Sequence, residues 1–266
     1  MKRHVPFALL VALFALLVLA TIALPETVPQ VPGAVRALRP KIAVPARARR
    51  AFAAAVPTMV STWALGGLIL SVGGSLLGTV FGQTNDAVIG LVIGLFEVSA
   101  AVAATVARDL SPPRMARLGT AVLAAGSGLF LFAVGLSSIT VFVVASIVAG
   151  AGFGTGFLGS FRAVSQLAEP RERAALLSAV FVVSYLAFSL PALLAGVLTT
   201  HIGLRDTSFG YGGFVALVAV AALALERLTV RQRHDTGHNE MAPASPGSYD
   251  AQAGNDAGKG KCRVEG

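Results

Sequence analysis

Charge is scarce in this chain. Of 266 residues, 13% are Asp, Glu, Lys or Arg and 55% are hydrophobic, with a mean hydropathy of +0.75, whereas about a quarter of residues are charged in soluble domains. A water-soluble fold could not cover that much apolar surface. Aromatic residues are also few, at 7%, which argues against a membrane β-barrel with its aromatic girdles. The single cysteine, Cys262, excludes an internal disulfide and a CxxC metal pair, and is silent on redox compartment. Lysine occurs only at Lys2, Lys41, Lys259 and Lys261, outside every apolar run, so no span can carry a retinal-type lysine attachment. No run holds more than one His, Asp, Glu or Cys, so the clustered ligands or nucleophiles of a membrane enzyme are missing, and neither an enzyme nor a metal or other cofactor is expected. What is abundant is Ala, Val, Leu and Gly, a mixture suited to membrane helices that approach closely. The expected class is an all-α integral membrane protein.

The net charge of +8 would suit nucleic acid only if the basic residues shared one exposed surface. They lie in short loops between apolar runs, so a nucleic-acid partner is not expected. Residues 5–24 form an uncharged run of the length that crosses a hydrocarbon core. A signal peptide has a shorter apolar region and a small-x-small cleavage site, so residues 1–24 are read as a first transmembrane helix. Residues 25–50, with Pro25, Pro29, Pro32, Pro40 and Pro45 among six basic residues, read as a basic surface loop. Residues 51–225 then divide into six spans: about 52–76, 87–107, 118–134 and 139–161, an apolar run over 174–203 with His201 to Asp206 as its turn, and about 207–225. The uncharged stretch 118–161 is twice the length one helix needs, and Gly135-Leu136-Ser137-Ser138 is its natural turn. From Glu226 to Gly266 the chain turns polar and is expected to be a disordered tail.

Lys and Arg in short loops favour the cytoplasmic side. If the loop 25–50 is cytoplasmic, that side carries fifteen basic residues: Arg36, Arg39, Lys41, Arg47, Arg49, Arg50, Arg108, Arg114, Arg117, Arg162, Arg171, Arg173, Arg227, Arg231 and Arg233. The other side carries Lys2, Arg3 and Arg205. The loop and the tail are therefore expected in the cytoplasm, with the chain multi-pass in a cell (plasma or inner) membrane. Lys2 and Arg3 would then face outward, which fits Met1 being an internal start within a longer protein.

A basic Pro-rich loop followed by six helices with short outer turns and Arg-rich inner loops resembles helices six to twelve of the major facilitator superfamily. Four segments carry the likeness. RDLSPPRMARLG (Arg108–Gly119) resembles a degenerate copy of the family's basic interhelical loop. GAGFGTGFLGSFR (Gly150–Arg162), with the loop Glu169–Ala174, and YLAFSLPALLAG (Tyr185–Gly196) resemble helices ten and eleven of bacterial members. The resemblance covers about residues 5–230 and implies transmembrane transport of a small solute by a secondary transporter, with proton-coupled efflux one form of it. It also implies partners: the lipid bilayer, the solute, protons and a missing N-terminal half, since the family builds its midplane site between two six-helix halves. Lacking that half, the chain could instead be a non-transporting remnant or membrane scaffold.

Within this frame Glu97, midway along its span, is the candidate for proton coupling or substrate contact, because a mid-membrane carboxyl is costly and therefore paired, protonated or functional. Gly90, Gly94, Glu97, Ala101 and Ala104 share one helical face of small residues, expected to point into the bundle, with Val92, Leu95, Val102 and Val106 toward lipid. Arg162, Pro191, Gly196, Arg108 and Arg114 are gating or structural candidates. Arg162 also fits a snorkelling anchor, and Pro57 and Pro191 fit plain kinks. Gly154, Gly156 and Gly159 match a GxGxxG pattern, but no strand precedes it, so they read as packing glycines, as do Gly66, Gly67, Gly73, Gly74 and Gly78.

Overall fold

In hydrocarbon every backbone amide and carbonyl must be satisfied within the chain, and an uncharged run does so by coiling into a helix. The computed structural model describes residues 4–24 and 42–240, which are helical almost throughout and contain no strand. The chain divides into two units, residues 1–40 and 41–266. The described part of the first is one uncharged helix, α1 (His4–Ala23), of 20 residues. At 1.5 Å per residue it spans about 30 Å.

The second unit holds α2 (Arg49–Thr79), α3 (Asp86–Val106), α4 (Pro112–Leu136), α5 (Ile139–Ser165), α6 (Arg173–Ile202) and α7 (Leu204–Glu240). All six are long and apolar enough to cross a membrane. The chain is thus an all-α, multi-pass membrane protein. Local chemistry sets the helix ends. Asn85 caps α3 by accepting the Ala87 amide at 2.9 Å, and the paired prolines Pro112 and Pro113 open α4, where missing amide donors cost nothing. The uncharged stretch folds back as expected, with Ser137 in the left-handed conformation (φ 51°) and Ser138 capping α5. Pro57 and Pro191 lie inside α2 and α6 without ending either helix.

Three boundaries differ from expectation. Helix α4 begins at Pro112, six residues before the expected span, so Arg114 and Arg117 lie in its first turns. The apolar runs of α6 and α7 are separated by one non-helical residue, Gly203 at φ +84°, where a longer turn was expected. Helix α7 also continues through residues 226–240, which the polar composition assigned to a disordered tail. That stretch has no proline before Pro243 and several good helix formers, and extending an existing helix avoids the cost of nucleation. The rest of the expected tail, 241–266, and residues 25–41 of the expected loop lie outside the described residues. Of that loop, Ala46–Ala48 form one 3-10 turn before α2 begins.

Inside the second unit, α5 packs against α4 along most of its length and also touches α3 and α2, while α2 packs against α6 and α7. Leu65, Leu68, Leu76, Phe96, Leu123, Phe130 and Phe142 are fully buried in the main core. A smaller core of Met59, Val164, Leu176 and Val180 lies where α2 and α6 begin and α5 ends. Several buried hydroxyls are satisfied locally: Thr120, Ser127 and Ser146 donate to carbonyls four residues back, and Thr58 and Thr120 meet across α2 and α4 at 3.1 Å.

Candidate functional site

The expected inward face of α3 turns the other way. Val92, Phe96 and Ala100 are its buried residues, whereas Gly90, Glu97 and Ala101 are exposed and a side chain at Gly90 or Gly94 would meet open space. Glu97 therefore points off the six-helix bundle, and its carboxyl has no hydrogen bond or ion pair among the described residues. The reason lies in the partner helix. Gly150 and Gly154 of α5 bring its backbone against Phe96, Ser99 and Ala100, so the small residues of this contact come from α5. Val102 and Val106 are exposed as expected, at 56% and 78%, but Val92 is buried.

Of the gating candidates, the structure brings Arg162 and Arg108 together. The half-buried Arg162 donates from Nη1 to the Arg108 carbonyl at 2.7 Å and lies 4.0 Å from Met115 Sδ. This joins the end of α5 to the end of α3 and the start of α4. Arg114 is exposed beside Arg117 and Arg227 in a cleft between α4 and α7. Pro191 and Gly196 stand apart from these arginines in α6, and Gly196 is exposed with no close neighbour for an added side chain. The GxGxxG glycines pack as read: Gly154 lies on Ala100, Gly156 on Gly119 and Gly159 on Ala116.

A second constellation was not singled out from the sequence. Trp63 of α2 stands among four rings on two other helices: Phe153 and Phe157 of α5, at centroid distances of 5.8 and 5.3 Å, and Tyr185 and Phe188 of α6, at 5.6 and 6.3 Å. The array continues through Phe161 and Phe181 back to Tyr185. Most of these pairs are tilted or edge-on, the arrangement favoured by ring quadrupoles. The spacing was visible. Phe153, Phe157 and Phe161 recur at i, i+4, i+8, and Phe181, Tyr185 and Phe188 at i, i+4, i+7, each set sharing one helical face. Nothing in either spacing shows that the two faces meet at Trp63.

Glycines make the meeting possible. A side chain on Gly67 would stand 2.7 Å from the Phe188 carbonyl oxygen, and one on Gly66 3.3 Å from the Phe153 ring. Trp63 and Phe188 are part-buried, while Tyr185 is 59% exposed, so the wall has an open side. The same Gly67 side chain would stand 2.9 Å from the Tyr211 hydroxyl, which sets that hydroxyl near Phe188. Trp63 Nε1, Ser184 Oγ and Tyr211 OH are buried without hydrogen-bond partners among the described residues. The exposed side of the ring surface can hold the flat or apolar part of a ligand, and the Trp63 N–H is a donor within that surface. No three His, Cys, Asp or Glu side chains come together among the described residues. Compared with known protein families and with curated proteins, the chain matches none.

Proposed function

We propose that this chain is one helical half of a membrane carrier for a small organic solute, and that the ring wall of α2, α5 and α6 is the surface the solute meets. The wall carries the reading: a part-buried tryptophan framed by rings from two other helices, open on one side at Tyr185 and with its indole N–H unpartnered among the described residues. The resemblance to the major facilitator superfamily supports it, since carriers of that kind hold solute between two six-helix units. So do the apolar faces of α3 and α6, which expose Leu91, Val98, Leu190, Leu193 and Val197. Glu97 fits the same frame. A mid-span carboxyl on an exposed face calls for a polar neighbour from outside the six helices, and a second unit would supply one. In that setting Glu97 is the proton-coupling candidate of an efflux carrier in a cell membrane.

Trp63 is the only tryptophan, so its emission reports on the wall alone. The purified chain in lipid nanodiscs is titrated with a panel of planar and apolar solutes. Saturable quenching by at least one solute is expected, weakened about tenfold in Phe157→Ala or Tyr185→Ala, in line with the loss of one aromatic contact. Absence of any saturable change from a folded chain would favour the rival reading of a membrane scaffold that transports nothing.

A further inference from the structure

Beyond the ring wall, the cleft between the start of α4 and the far part of α7 has a volume of about 400 Å³ and is lined by Arg114, Arg117 and Arg227 together with Leu110, Leu118, Ala121 and Leu223. Leu110 precedes α4; within the two helices the arginines and the apolar residues are sorted by depth. In α4 the arginines come first and Leu118 and Ala121 follow, so Ala121 lies about 10 Å further along the helix than Arg114. Helix α7 runs the other way, and Leu223 precedes Arg227 by one turn. Leu118 opens the long uncharged stretch of the sequence, so the three arginines stand at the polar boundary and Leu118, Ala121 and Leu223 on the hydrocarbon side.

None of the three guanidinium groups is in an ion pair among the described residues: Glu169 and Glu172 hold Arg47, and Asp109 lies 3.8 Å from Arg108 Nε. Arg117 donates from Nε to the Pro113 carbonyl at 3.4 Å, which leaves its terminal amino groups available. Three cations without carboxylate partners among the described residues, over an apolar slot, fit one amphiphile: a phosphate at the arginines and an acyl chain along Leu118, Ala121 and Leu223. A water-soluble phosphate would leave the apolar part uncovered, and a zwitterionic lipid brings a cation of its own against the arginines. We propose that this cleft binds one anionic glycerophospholipid, taken from the leaflet on the basic side of the bundle.

Phosphatidylglycerol and phosphatidylcholine are titrated separately onto the purified full chain, and retained lipid is counted by native mass spectrometry. Selective retention of one phosphatidylglycerol is expected. About fivefold in affinity is expected for each arginine near an anionic headgroup. Arg227→Gln should therefore weaken binding about fivefold, and Arg114→Gln with Arg117→Gln and Arg227→Gln about a hundredfold. A control that removes the same charge elsewhere on the basic side, Arg49→Gln with Arg50→Gln and Arg171→Gln, should keep wild-type affinity. Ala121→Trp fills the slot without changing charge and should weaken binding at least tenfold, which holds the proposal to a test even if the triple variant fails to fold. Equal loss in the control, equal retention of phosphatidylcholine, or displacement of the lipid by millimolar inorganic phosphate would each overturn it.

Discussion

Arg47 shows how one side chain ties two segments far apart in sequence. Its Nη1 and Nη2 donate to Glu169 and Glu172, so the turn before α2 is clasped to the loop between α5 and α6. Arg47 holds the Glu169 carboxyl below the usual carboxylate range, through the hydrogen bond first and the neighbouring charge second. The sign follows from linkage: a depressed folded value stabilises the fold above the unfolded value of about 4.3 and loses that contribution as pH falls through the folded value. The clasp is exposed, so its effect is small and screened by salt. Melting in detergent should show a gap between the native chain and Arg47→Gln that is constant above about pH 5 and closes toward pH 3; a gap unchanged at pH 3 would deny Glu169 this role. Single residues were unevenly legible in the sequence. Arg162 and the GxGxxG glycines sit where spacing and context put them. Glu97 does not, because small residues show that a face can be approached closely and not which helix of a pair supplies the approach. The turn Gly135-Leu136-Ser137-Ser138 was legible as a stretch, but not that Ser137 is the residue in the left-handed conformation.

Helix α5 is the element on which close packing depends most. One of its faces presents Gly150 and Gly154 to α3, and another presents Gly152, Gly156 and Gly159 to α4. Apolar side chains gain little from leaving lipid for a helix contact, so such seams rest on intimate backbone approach. Reciprocal sites on α4 complete this one: a side chain at Gly126 would stand 2.6 Å from Ala149 Cα, whereas one at Gly128 of the same helix would meet nothing within 4 Å. Gly126→Ala and Gly152→Ala should each destabilise the bundle by about 1–3 kcal/mol, since the helices must separate to admit the methyl group. Gly128→Ala should be neutral or stabilising by up to about 1 kcal/mol, because alanine favours the helix. Unfolding by SDS in mixed micelles measures all three, and equal midpoints for Gly152→Ala and Gly128→Ala would show that the seam tolerates a methyl group. Existence and order of the bundle's helices were readable from charge-free run length, because each run needs its own backbone bonds in hydrocarbon. Where α7 ends was not, since residues 226–240 are polar in composition yet extend a helix already formed.

At the scale of the whole bundle, the described arginines of the six antiparallel helices are sorted to one end. Arg49, Arg50, Arg108, Arg114, Arg117, Arg162, Arg171, Arg173 and Arg227 belong to one set of helix ends, and Arg205 alone belongs to the other, where its Nη2 donates to the Gly135 carbonyl at 2.9 Å. This is the asymmetry that the positive-inside rule reads, and it is carried by short loops, where the rule has most force. An even number of spans also puts the start of α2 and the end of α7 on the same side, whatever the bundle does elsewhere. Together these predict that residues 45 and 240 both face the cytoplasm and that the turns at 82–85 and 137–138 face away from it. Alkaline phosphatase should therefore be inactive when fused after residue 45 or residue 240 and active when fused after residue 83 or residue 137, with a fluorescent protein giving the complementary pattern. Opposite sides for residues 45 and 240 would mean that one of the six helices fails to cross. Phosphatase activity at both would mean that the basic end is translocated, against the charge rule.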